Sequence, residues 1–363
     1  MPTSEGNSPK TPQHILVRGT NWIGDAVMTT PALRRLRAVF PAAHITLLTG
    51  PRTAGLFAAS KLVDELLLYH RQEEGARAFL RMVRVLRARR FNLALLFQNA
   101  FEAALLTWAG GVPLRLGYAA QRRSLLLTHR LQRTPEHRNR HQVNDYLDLV
   151  KLAERVCGVA EPFSSTTAEL LPELVAGADQ LREAEMLLRQ YGLDWQQRPL
   201  VALNTGATNS RAKCWPVERF AALGDALIKQ CNAQIVLIGA PAERANAAQV
   251  LAQMRLPKAI NLAGETTMAQ LIGLLACCDL LVSNDTGPAH IAAALGRPTL
   301  TIFGPTNEWE TAPTGARAAL IRAEGIECAR CMHRDCPIDH RCMTRLGVEV
   351  VVERAAELLN RIG

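Results

Sequence analysis

The 363-residue chain is longer than one hydrophobic core usually supports, and its hydrophobic fraction of 48% is typical of a folded protein. We therefore expect two domains. No apolar run reaches the length of a membrane span and the first residues lack the apolar stretch of a secretory signal, so we expect a cytoplasmic protein whose nine cysteines are not a disulfide framework.

The net charge of +9 is distributed unevenly. Residues 1–160 carry 23 Lys and Arg against 11 Asp and Glu, whereas the remainder carries 19 against 22. A basic first half predicts an anionic partner, which could be nucleic acid, a phosphorylated substrate or an acidic membrane surface. The alternative is that exposed helices simply carry charge that keeps the protein soluble.

Apolar runs and helical patterns alternate along the first half. Residues 1–13 are polar and rich in Ser and Pro, and we expect them to be disordered. We predict strands over 15–18, 44–48 and 93–97, and helices over 25–40, 76–90 and 142–156. Parallel strands joined by crossover helices explain this alternation, so residues 14–172 are predicted to form one Rossmann-like domain.

The chain becomes irregular between Cys157 and Leu174, where we place a linker. A second βα series follows over 173–347, with strands at 200–204, 234–238, near 260, 280–282 and 299–303. Helices are predicted over 178–191, 217–230, 242–254 and 268–276, and a C-terminal helix over 348–363. Two doubly wound domains result, and their strand-end loops are expected to face a central cleft.

The loop Asn284-Asp285-Thr286-Gly287-Pro288-Ala289-His290 lies between the strand at 280–282 and a helix-like segment at 291–295. Backbone N–H groups and the positive end of a helix dipole make such a turn suitable for phosphate. The alternative is a capped βα turn, with Asp285 or Thr286 as the N-cap and Pro288 in the first turn, and the loop taken alone favours it.

Two further loops at strand ends contain residues that could take part in catalysis or bind phosphate. Asp25 lies at a helix start and could accept a proton from a hydroxyl nucleophile, or it could be only a helix cap. Lys213 follows the Gly- and Thr-rich loop that begins at Thr205, which places an ammonium near a potential phosphate site, although a solvated loop lysine is the usual alternative. Because the chain lacks a dinucleotide motif, a P-loop and any Asp-x-Asp pair, we expect cations and backbone dipoles, not a metal, to neutralise phosphate.

Together these residues resemble the ADP-heptose:lipopolysaccharide heptosyltransferases, from about residue 15 to residue 359. The motifs that carry the resemblance are Asn21-Trp22-Ile23-Gly24-Asp25, Lys213-Cys214-Trp215-Pro216, Ser283 to His290, and Phe303-Gly304-Pro305-Thr306. The first motif, with Gln98-Asn99-Ala100-Phe101 and Gly117-Tyr118, resembles the heptosyltransferase II group more than the heptosyltransferase I group.

The resemblance implies a GT-B fold and an inverting, metal-independent transfer that needs no cofactor. It implies that Asp25 is the general base and that Lys213 lies near the donor diphosphate; these are the two catalytic candidates. The other donor-binding candidates are Thr205, Gly206, Thr208, Glu243 near the nucleoside ribose, Asp285, Thr286, Gly287 and His290. The first domain would bind the acceptor, through Asn21, Trp22, Asn99, Arg122 and Arg123.

The same resemblance implies a role for the basic charge of residues 1–160, because the implied acceptor is inner-core lipopolysaccharide on the cytoplasmic leaflet. Arg77, Arg81, Arg84 and Arg87 recur at helical spacing, and we expect Leu80, Val83 and Leu86 on a different face. Arg122, Arg123, Arg138 and Arg140 form a second cluster. We expect these arginines to bind the acceptor or the anionic membrane, which would make the protein a peripheral inner-membrane enzyme with no nucleic-acid partner.

Four cysteines in the pattern C-x₂-C-x₄-C-x₅-C are Cys328, Cys331, Cys336 and Cys342. Such spacing is typical of a zinc or iron–sulfur site, and reduced thiols are the alternative. We expect no catalytic metal there.

Two rival functions differ from heptose transfer. One is a GT-B transferase or epimerase for another nucleotide sugar. The other is a basic nucleic-acid-binding protein. The sequence shows no zinc finger, recognition helix or aromatic-rich strand, which counts against this function.

Overall fold

The computed structural model describes residues 11–159, 170–208, 210–256 and 259–360. Residues 1–10 of the segment expected to be disordered, and residues 160–169 of the predicted linker, therefore lie outside the described part. The chain divides into two compact units, Met1–Pro172 and Glu173–Gly363. No helix among the described residues is both long enough and apolar enough to cross a bilayer.

The first unit is built on six parallel strands. They are β1 (His14–Arg18), β2 (His44–Thr49), β3 (Glu65–Leu68), β4 (Leu93–Leu96), β5 (Leu114–Tyr118) and β6 (His129–Leu131). The α-helices are α1 (Ile23–Met28), α2 (Thr30–Val39), α3 (Pro51–Ala54), α4 (Arg71–Glu74), α5 (Ala76–Arg89), α6 (Phe101–Ala109) and α7 (Val143–Val156). Short 3₁₀ turns cover Gly55–Phe57, Arg123–Leu126 and Pro135–Asn139.

The second unit repeats this plan. Its strands are β7 (Leu200–Asn204), β8 (Gln234–Ile238), β9 (Ala259–Asn261), β10 (Leu280–Asn284), β11 (Thr299–Phe303) and β12 (Ala318–Arg322). Its α-helices are α8 (Ala178–Gln190), α9 (Val217–Cys231), α10 (Arg244–Gln253), α11 (Met268–Cys277), α12 (Gly287–Ala294), α13 (Glu308–Thr311), α14 (Arg341–Thr344) and α15 (Val348–Asn360). 3₁₀ turns cover Arg211–Lys213 and Pro241–Glu243.

Both sheets have the same strand order. It is β3-β2-β1-β4-β5-β6 in the first unit and β12-β11-β10-β7-β8-β9 in the second, and every recorded strand pair is parallel. In each sheet the order in which the chain adds strands therefore reverses once, between β1 and β4 in the first and between β7 and β10 in the second. The prediction of two doubly wound, Rossmann-like domains is confirmed, and ligands in such sheets bind at this reversal, beyond the carboxyl ends of the strands.

The predicted helix over 25–40 is two helices. Thr29 and Thr30 donate their hydroxyl protons to the carbonyls of Ala26 (2.6 Å) and Val27 (2.9 Å), and Pro31 lies at the start of α2. A proline removes one backbone donor, and threonine hydroxyls that bond back to the preceding turn interrupt the helical ladder. Asp25 consequently belongs to a separate six-residue helix.

The two cores consist of the apolar faces of strands and helices. In the second unit, Trp215 is fully buried and its indole N–H donates to the Leu346 carbonyl (3.1 Å). Its ring is nearly perpendicular to that of Phe220, with the ring centroids 5.1 Å apart. In the first unit the buried Arg35 donates two hydrogen bonds to Glu154 (2.6 and 2.8 Å), which joins α2 to α7. Removing either partner would leave an uncompensated buried charge.

Gly273 lets α11 approach α8 at backbone distance. A Cβ atom at this position would lie 2.0 Å from the Gln180 carbonyl oxygen, which is backbone and cannot rotate away. We expect Gly273→Ala to lower the free energy of unfolding by about 3 kcal/mol, because the two helices must separate. Chemical denaturation of this variant and of Gly111→Ala, where the added methyl meets no atom within 4 Å but φ is +76°, checks this; equal losses would contradict the packing explanation.

Candidate functional site

The loops after β7 and β10 flank the reversal in the second sheet, and they contain most of the predicted donor residues. Thr205, Gly206 and Thr208 follow β7, and Asp285 to His290 follow β10. Asn284, the last residue of β10, holds the two loops together. Its amide donates to the carbonyls of Thr205 (2.9 Å) and Gly206 (3.2 Å), while its side-chain oxygen accepts the N–H of Trp215 (3.0 Å).

Asp285 is nearly buried and binds two side chains from other loops. One carboxylate oxygen, Oδ2, accepts from the Lys213 ammonium (2.8 Å) and from the Thr306 hydroxyl (2.7 Å). Lys213 also donates to the Asp285 carbonyl at 3.2 Å. An ammonium has three N–H donors, and its contacts with the described residues leave one of them for another acceptor. Asp285 thus holds the Lys213 ammonium in place, with a quarter of the lysine side chain exposed.

The helix after this loop begins earlier than the sequence indicated. α12 starts at Gly287, not near residue 291, with Thr286 at the N-cap and Pro288 in its first turn. The Thr286 hydroxyl does not cap the helix; it accepts a hydrogen bond from the Asn204 amide (2.6 Å). Because the cap residue turns its side chain to β7, the first turn has no side-chain cap. Pro288 has no N–H and the Ala289 N–H donates to the Thr286 carbonyl (3.2 Å), so the Gly287 N–H and the helix dipole are what this turn offers an anion. His290 is buried within this helix.

Glu243 lies over two glycines at the ends of neighbouring strands. A Cβ atom at Gly206 would lie 2.5 Å from the Glu243 carboxyl carbon, and one at Gly239 would lie 2.8 Å from its Oε2. The carboxylate accepts from the Thr208 hydroxyl (2.9 Å) and from the Ala240 N–H (2.8 Å). Glu243 therefore lies against the β7 loop and binds Thr208 of that loop, and the donor-site hypothesis requires these residues to be close.

In the first unit, Asp25 lies after β1, in the first turn of α1. The N-cap of α1 is Trp22, so Asp25 is not the cap that the structural alternative proposed. Burial, and next the Asp25 carboxylate, raise the pKa of Tyr146 well above its ordinary value, which places these two groups near each other. Tyr146 also accepts a hydrogen bond from the Gln142 amide (2.8 Å). Asp25 is partly exposed, whereas Tyr146 is buried.

Asn21 and Trp22 are exposed beside Asp25, and just over half of the Trp22 surface is accessible. The buried Arg18 at the end of β1 supports this turn by donating to the Gly19 carbonyl (2.6 Å) and, at 3.4 Å, to Asn21 Oδ1. Burial lowers the pKa of Arg18 to about 10, and the group still stays protonated at neutral pH. Trp22 thus presents an amphipathic ring, and Asn21 an amide, next to the Asp25 carboxylate.

The two neighbouring arginines after β5 differ from each other in exposure. Arg122 is exposed, but Arg123 is completely buried, and burial lowers the pKa of its guanidinium to about 10. Arg123 donates to the Tyr118 carbonyl (2.9 Å), to the Gln98 carbonyl and to Asn99 Oδ1 (2.7 Å). Arg123 therefore orients Asn99 and does not present its charge to an acceptor, which corrects its predicted role.

A model of glycosyltransferase family 9, the heptosyltransferases, matches residues 79–341, which is more than half of the chain. The chain belongs to this family. It is 31% identical over 319 residues to lipopolysaccharide heptosyltransferase 2 of Escherichia coli, with 85% of this chain and 87% of that protein covered. Lipooligosaccharide heptosyltransferase 2 of Haemophilus influenzae is 26% identical over 356 residues, covering 95% and 99%.

Solved structures agree with these relatives. The structure of E. coli ADP-heptose lps heptosyltransferase II superposes with a TM-score of 0.79 at 27% identity, covering 96% of this chain and 99% of that one. The predicted resemblance to the heptosyltransferases, and to the heptosyltransferase II group in particular, is confirmed.

The cysteine cluster of this family 9 chain consists of free thiols. No three His, Cys, Asp or Glu side chains in the described ranges are grouped so that they could hold a metal ion. Burial, with Cys328, Cys331 and Cys336 nearby, raises the pKa of Cys342 to about 11, so that thiol stays protonated. Both hypotheses for these cysteines, a structural metal site and reduced thiols, stay predictions of their spacing.

Sequence reasoning missed several residues of this family 9 site. Thr306 was quoted only as part of a motif, yet it shares the Asp285 oxygen with Lys213. Asn204 and Asn284 tie β7, β10 and the Lys213 loop together, and Arg18 supports the Asp25 turn. An amide or a guanidinium at the last position of a buried strand was the available signal, because such a polar group needs a partner at the strand end.

Proposed function

We propose that the chain is an inverting glycosyltransferase that moves heptose from ADP-L-glycero-D-manno-heptose to the inner core of lipopolysaccharide, as the second heptose. The observation that carries the proposal is the Lys213–Asp285–Thr306 cluster beside the start of α12, at the reversal of a doubly wound sheet in a family 9 chain. The names of the relatives at 31% and 26% identity supply the sugar and the acceptor class.

The proposed chemistry divides between the two units. A hydroxyl of the acceptor attacks the anomeric carbon of the donor heptose while the bond from that carbon to the diphosphate oxygen breaks, which inverts the configuration. Asp25 takes the proton of the attacking hydroxyl. The negative charge that develops on the departing ADP is stabilised by the third N–H of Lys213, by the Gly287 N–H and by the positive end of the α12 dipole.

The remaining donor residues are assigned by their position around this cluster. Thr205, Gly206 and Thr208 form the β7 loop, Thr286, Gly287 and His290 belong to the turn and first residues of α12, and Glu243 would meet the ribose. Asp285 acts through Lys213, because a carboxylate that faced a diphosphate directly would repel it. The acceptor is assigned to Asn21, Trp22, Asn99 and Arg122 in the first unit.

A transfer assay tests this function. ADP-heptose is supplied with inner-core acceptors that carry no heptose or one heptose, and product is measured by mass. We expect transfer to the acceptor with one heptose. Transfer only to the acceptor without heptose would contradict the position of addition, and transfer only from a different nucleotide sugar would favour the rival transferase.

We also propose that transfer needs no metal ion, because Lys213 and the positive end of the α12 dipole take the place of a metal's charge. Activity is expected to stay within about twofold after exhaustive dialysis against EDTA. A loss greater than about tenfold that Mg²⁺ or Mn²⁺ restores would contradict this.

We further propose that the α5 face binds the anionic cytoplasmic surface of the inner membrane. Leu80 lies three residues after Arg77 and four before Arg84, and it is exposed among these arginines; its predicted place with Val83 and Leu86 is therefore corrected. Arg87 donates to the Ala109 carbonyl (2.8 Å), next to the exposed Trp108 of α6. Arginines around an exposed leucine and tryptophan suit an interface between water and lipid.

Charge reversal on α5 tests the membrane proposal. The double variant Arg77→Glu/Arg84→Glu should bind vesicles that contain phosphatidylglycerol at least about tenfold more weakly, since each surface arginine contributes about 1 kcal/mol to binding. The matched control is Arg182→Glu/Arg189→Glu on the exposed face of α8 in the second unit. Equal binding by the two double variants would contradict the proposal, and tighter binding of wild type to a mixed oligonucleotide than to vesicles would favour the nucleic-acid function.

A further inference from the structure

The cysteine-rich segment, residues 328–342, runs between β12 and α15. It contacts the loop that contains Lys213 and the loop that contains Thr306, and both of these side chains bind Asp285. It contains little regular structure apart from the start of α14. Several of its side chains are exposed, including Cys331, Met332 and Ile338, so apolar burial explains little of its ordered path. Its contacts with these two loops are polar, and several are hydrogen bonds to backbone N–H and C=O groups.

The first set of contacts fixes the residue before Lys213. The buried Ala212 donates its N–H to the Arg334 carbonyl (3.0 Å), and its carbonyl accepts from His340 Nε2 at 2.6 Å. That carbonyl belongs to the peptide bond that joins Ala212 to Lys213. Nearby, the Ser210 hydroxyl also donates to the Arg334 carbonyl (3.1 Å). The segment therefore holds the backbone from which the Lys213 side chain extends.

The second set of contacts fixes the residue before Thr306. The N–H of Met332 donates to the Pro305 carbonyl (2.9 Å), which belongs to the peptide bond that joins Pro305 to Thr306. Arg330 donates two hydrogen bonds to the buried Glu308 (2.6 and 3.2 Å) and lies 4.3 Å from the Trp309 ring centre. Burial alone would raise the pKa of Glu308, but these hydrogen bonds and those from Arg322 keep it below its ordinary value.

The backbone of the segment is strained at the residues that make these contacts. Arg330, Met332 and His340 have φ values of 63°, 59° and 57°, in the left-handed region that side chains other than glycine and asparagine disfavour. Such conformations cost of order 1 kcal/mol each and persist where the surrounding contacts determine them. Here the strained residues are the same ones that bind Ala212, Pro305 and Glu308.

We propose that the cysteine-rich segment is a positioning element for the nucleotide site, in which His340 and Met332 set the peptides that place Lys213 and Thr306 on the same oxygen of Asp285. This inference rests on the proposed function, since it concerns how the diphosphate-binding ammonium is held. A displacement of the Lys213 backbone by a fraction of an ångström changes the direction of its third N–H, and the affinity for a diphosphate falls with it.

The test uses two substitutions of His340 in the full chain, with ADP as the probe. His340→Asn keeps a left-handed backbone but is too short to reach the Ala212 carbonyl, whereas His340→Gln retains an N–H donor at nearly the same reach. We expect the dissociation constant for ADP, measured by calorimetry, to rise about tenfold in His340→Asn and to stay within about twofold in His340→Gln. Ile338→Ala, an exposed residue of the same segment, is the matched control and should bind ADP as wild type does.

A purely structural role predicts a different pattern, namely a lower unfolding temperature with unchanged ADP affinity well below that temperature. Unchanged affinity in folded His340→Asn, while wild type binds ADP, would overturn this inference alone. Wild type that binds no ADP would overturn the proposed donor and the inference with it. If His340→Asn does not fold, Arg330→Gln tests the Thr306 side, and ADP affinity within twofold of wild type there would overturn the inference.

Discussion

Asp25→Asn is expected to reduce kcat about a thousandfold, while the affinity for ADP stays within about twofold of wild type. Positioned general bases contribute factors of about 10² to 10⁴, and the amide that replaces the carboxylate cannot take a proton from the acceptor hydroxyl. Donor affinity should persist because the residues assigned to ADP belong to the second unit. Initial rates with saturating ADP-heptose and acceptor, together with ADP calorimetry, measure both quantities.

Stability and specificity controls accompany this variant. Asn preserves the shape of Asp25, and α1 loses the favourable interaction of a carboxylate with its first turn, about 0.3–1 kcal/mol. Glu136→Gln removes an exposed carboxylate of the same unit and should leave kcat unchanged. A kcat for Asp25→Asn within tenfold of wild type would rule out the general-base role.

Lys213→Met should weaken ADP binding about a hundredfold and lower kcat/KM by at least as much. A hydrogen bond to a charged group contributes about 1.5–3 kcal/mol, and the departing diphosphate carries more charge than the bound donor does. Methionine keeps the apolar stem of the lysine, so the loop retains its packing. Lys213→Arg should recover only part of the affinity, because the planar guanidinium does not reproduce a compact ammonium held by one carboxylate oxygen and one carbonyl.

The contact between Lys213 and Asp285 makes a double-mutant cycle informative. If Asp285 acts through Lys213, Asp285→Asn alone should weaken ADP binding, and adding it to Lys213→Met should weaken binding little further. Additive losses would show that Asp285 contacts the donor independently. ADP affinity that is unchanged in Lys213→Met would remove Lys213 from the donor site altogether.

The buried parts of the fold were predictable from the sequence. Strands such as β4, β7 and β8 are apolar at nearly every position, because both faces of a parallel sheet are covered. The edge strands β3, β6 and β12 and the mixed strand β5 were missed. β5 contains Arg115 and Gly117, and its extended conformation comes from pairing with β4 and β6, not from its own composition.

Part of the candidate site was predictable because the fold determines which loops lie together. Doubly wound sheets bring the loops after particular strands together, so motifs at strand ends identify Asp25, Lys213 and Asp285 as residues of interest. The partners of Asp285 were not predictable, since Lys213 and Thr306 approach it across 72 and 21 positions. Nor could the sequence separate Arg122 from Arg123, because the left-handed backbone at Gln121 and Arg122 decides which arginine turns inward.

If Glu243 meets the ribose as proposed, Glu243 and its two glycines must change together before this end of the sheet accepts a different nucleoside. Any side chain at Gly206 or Gly239 would overlap Glu243, which fills the space that the two glycines leave open. Screens that vary one position at a time would therefore score both glycines as intolerant. Libraries that randomise the three positions jointly offer a route to altered base or ribose preference within this architecture.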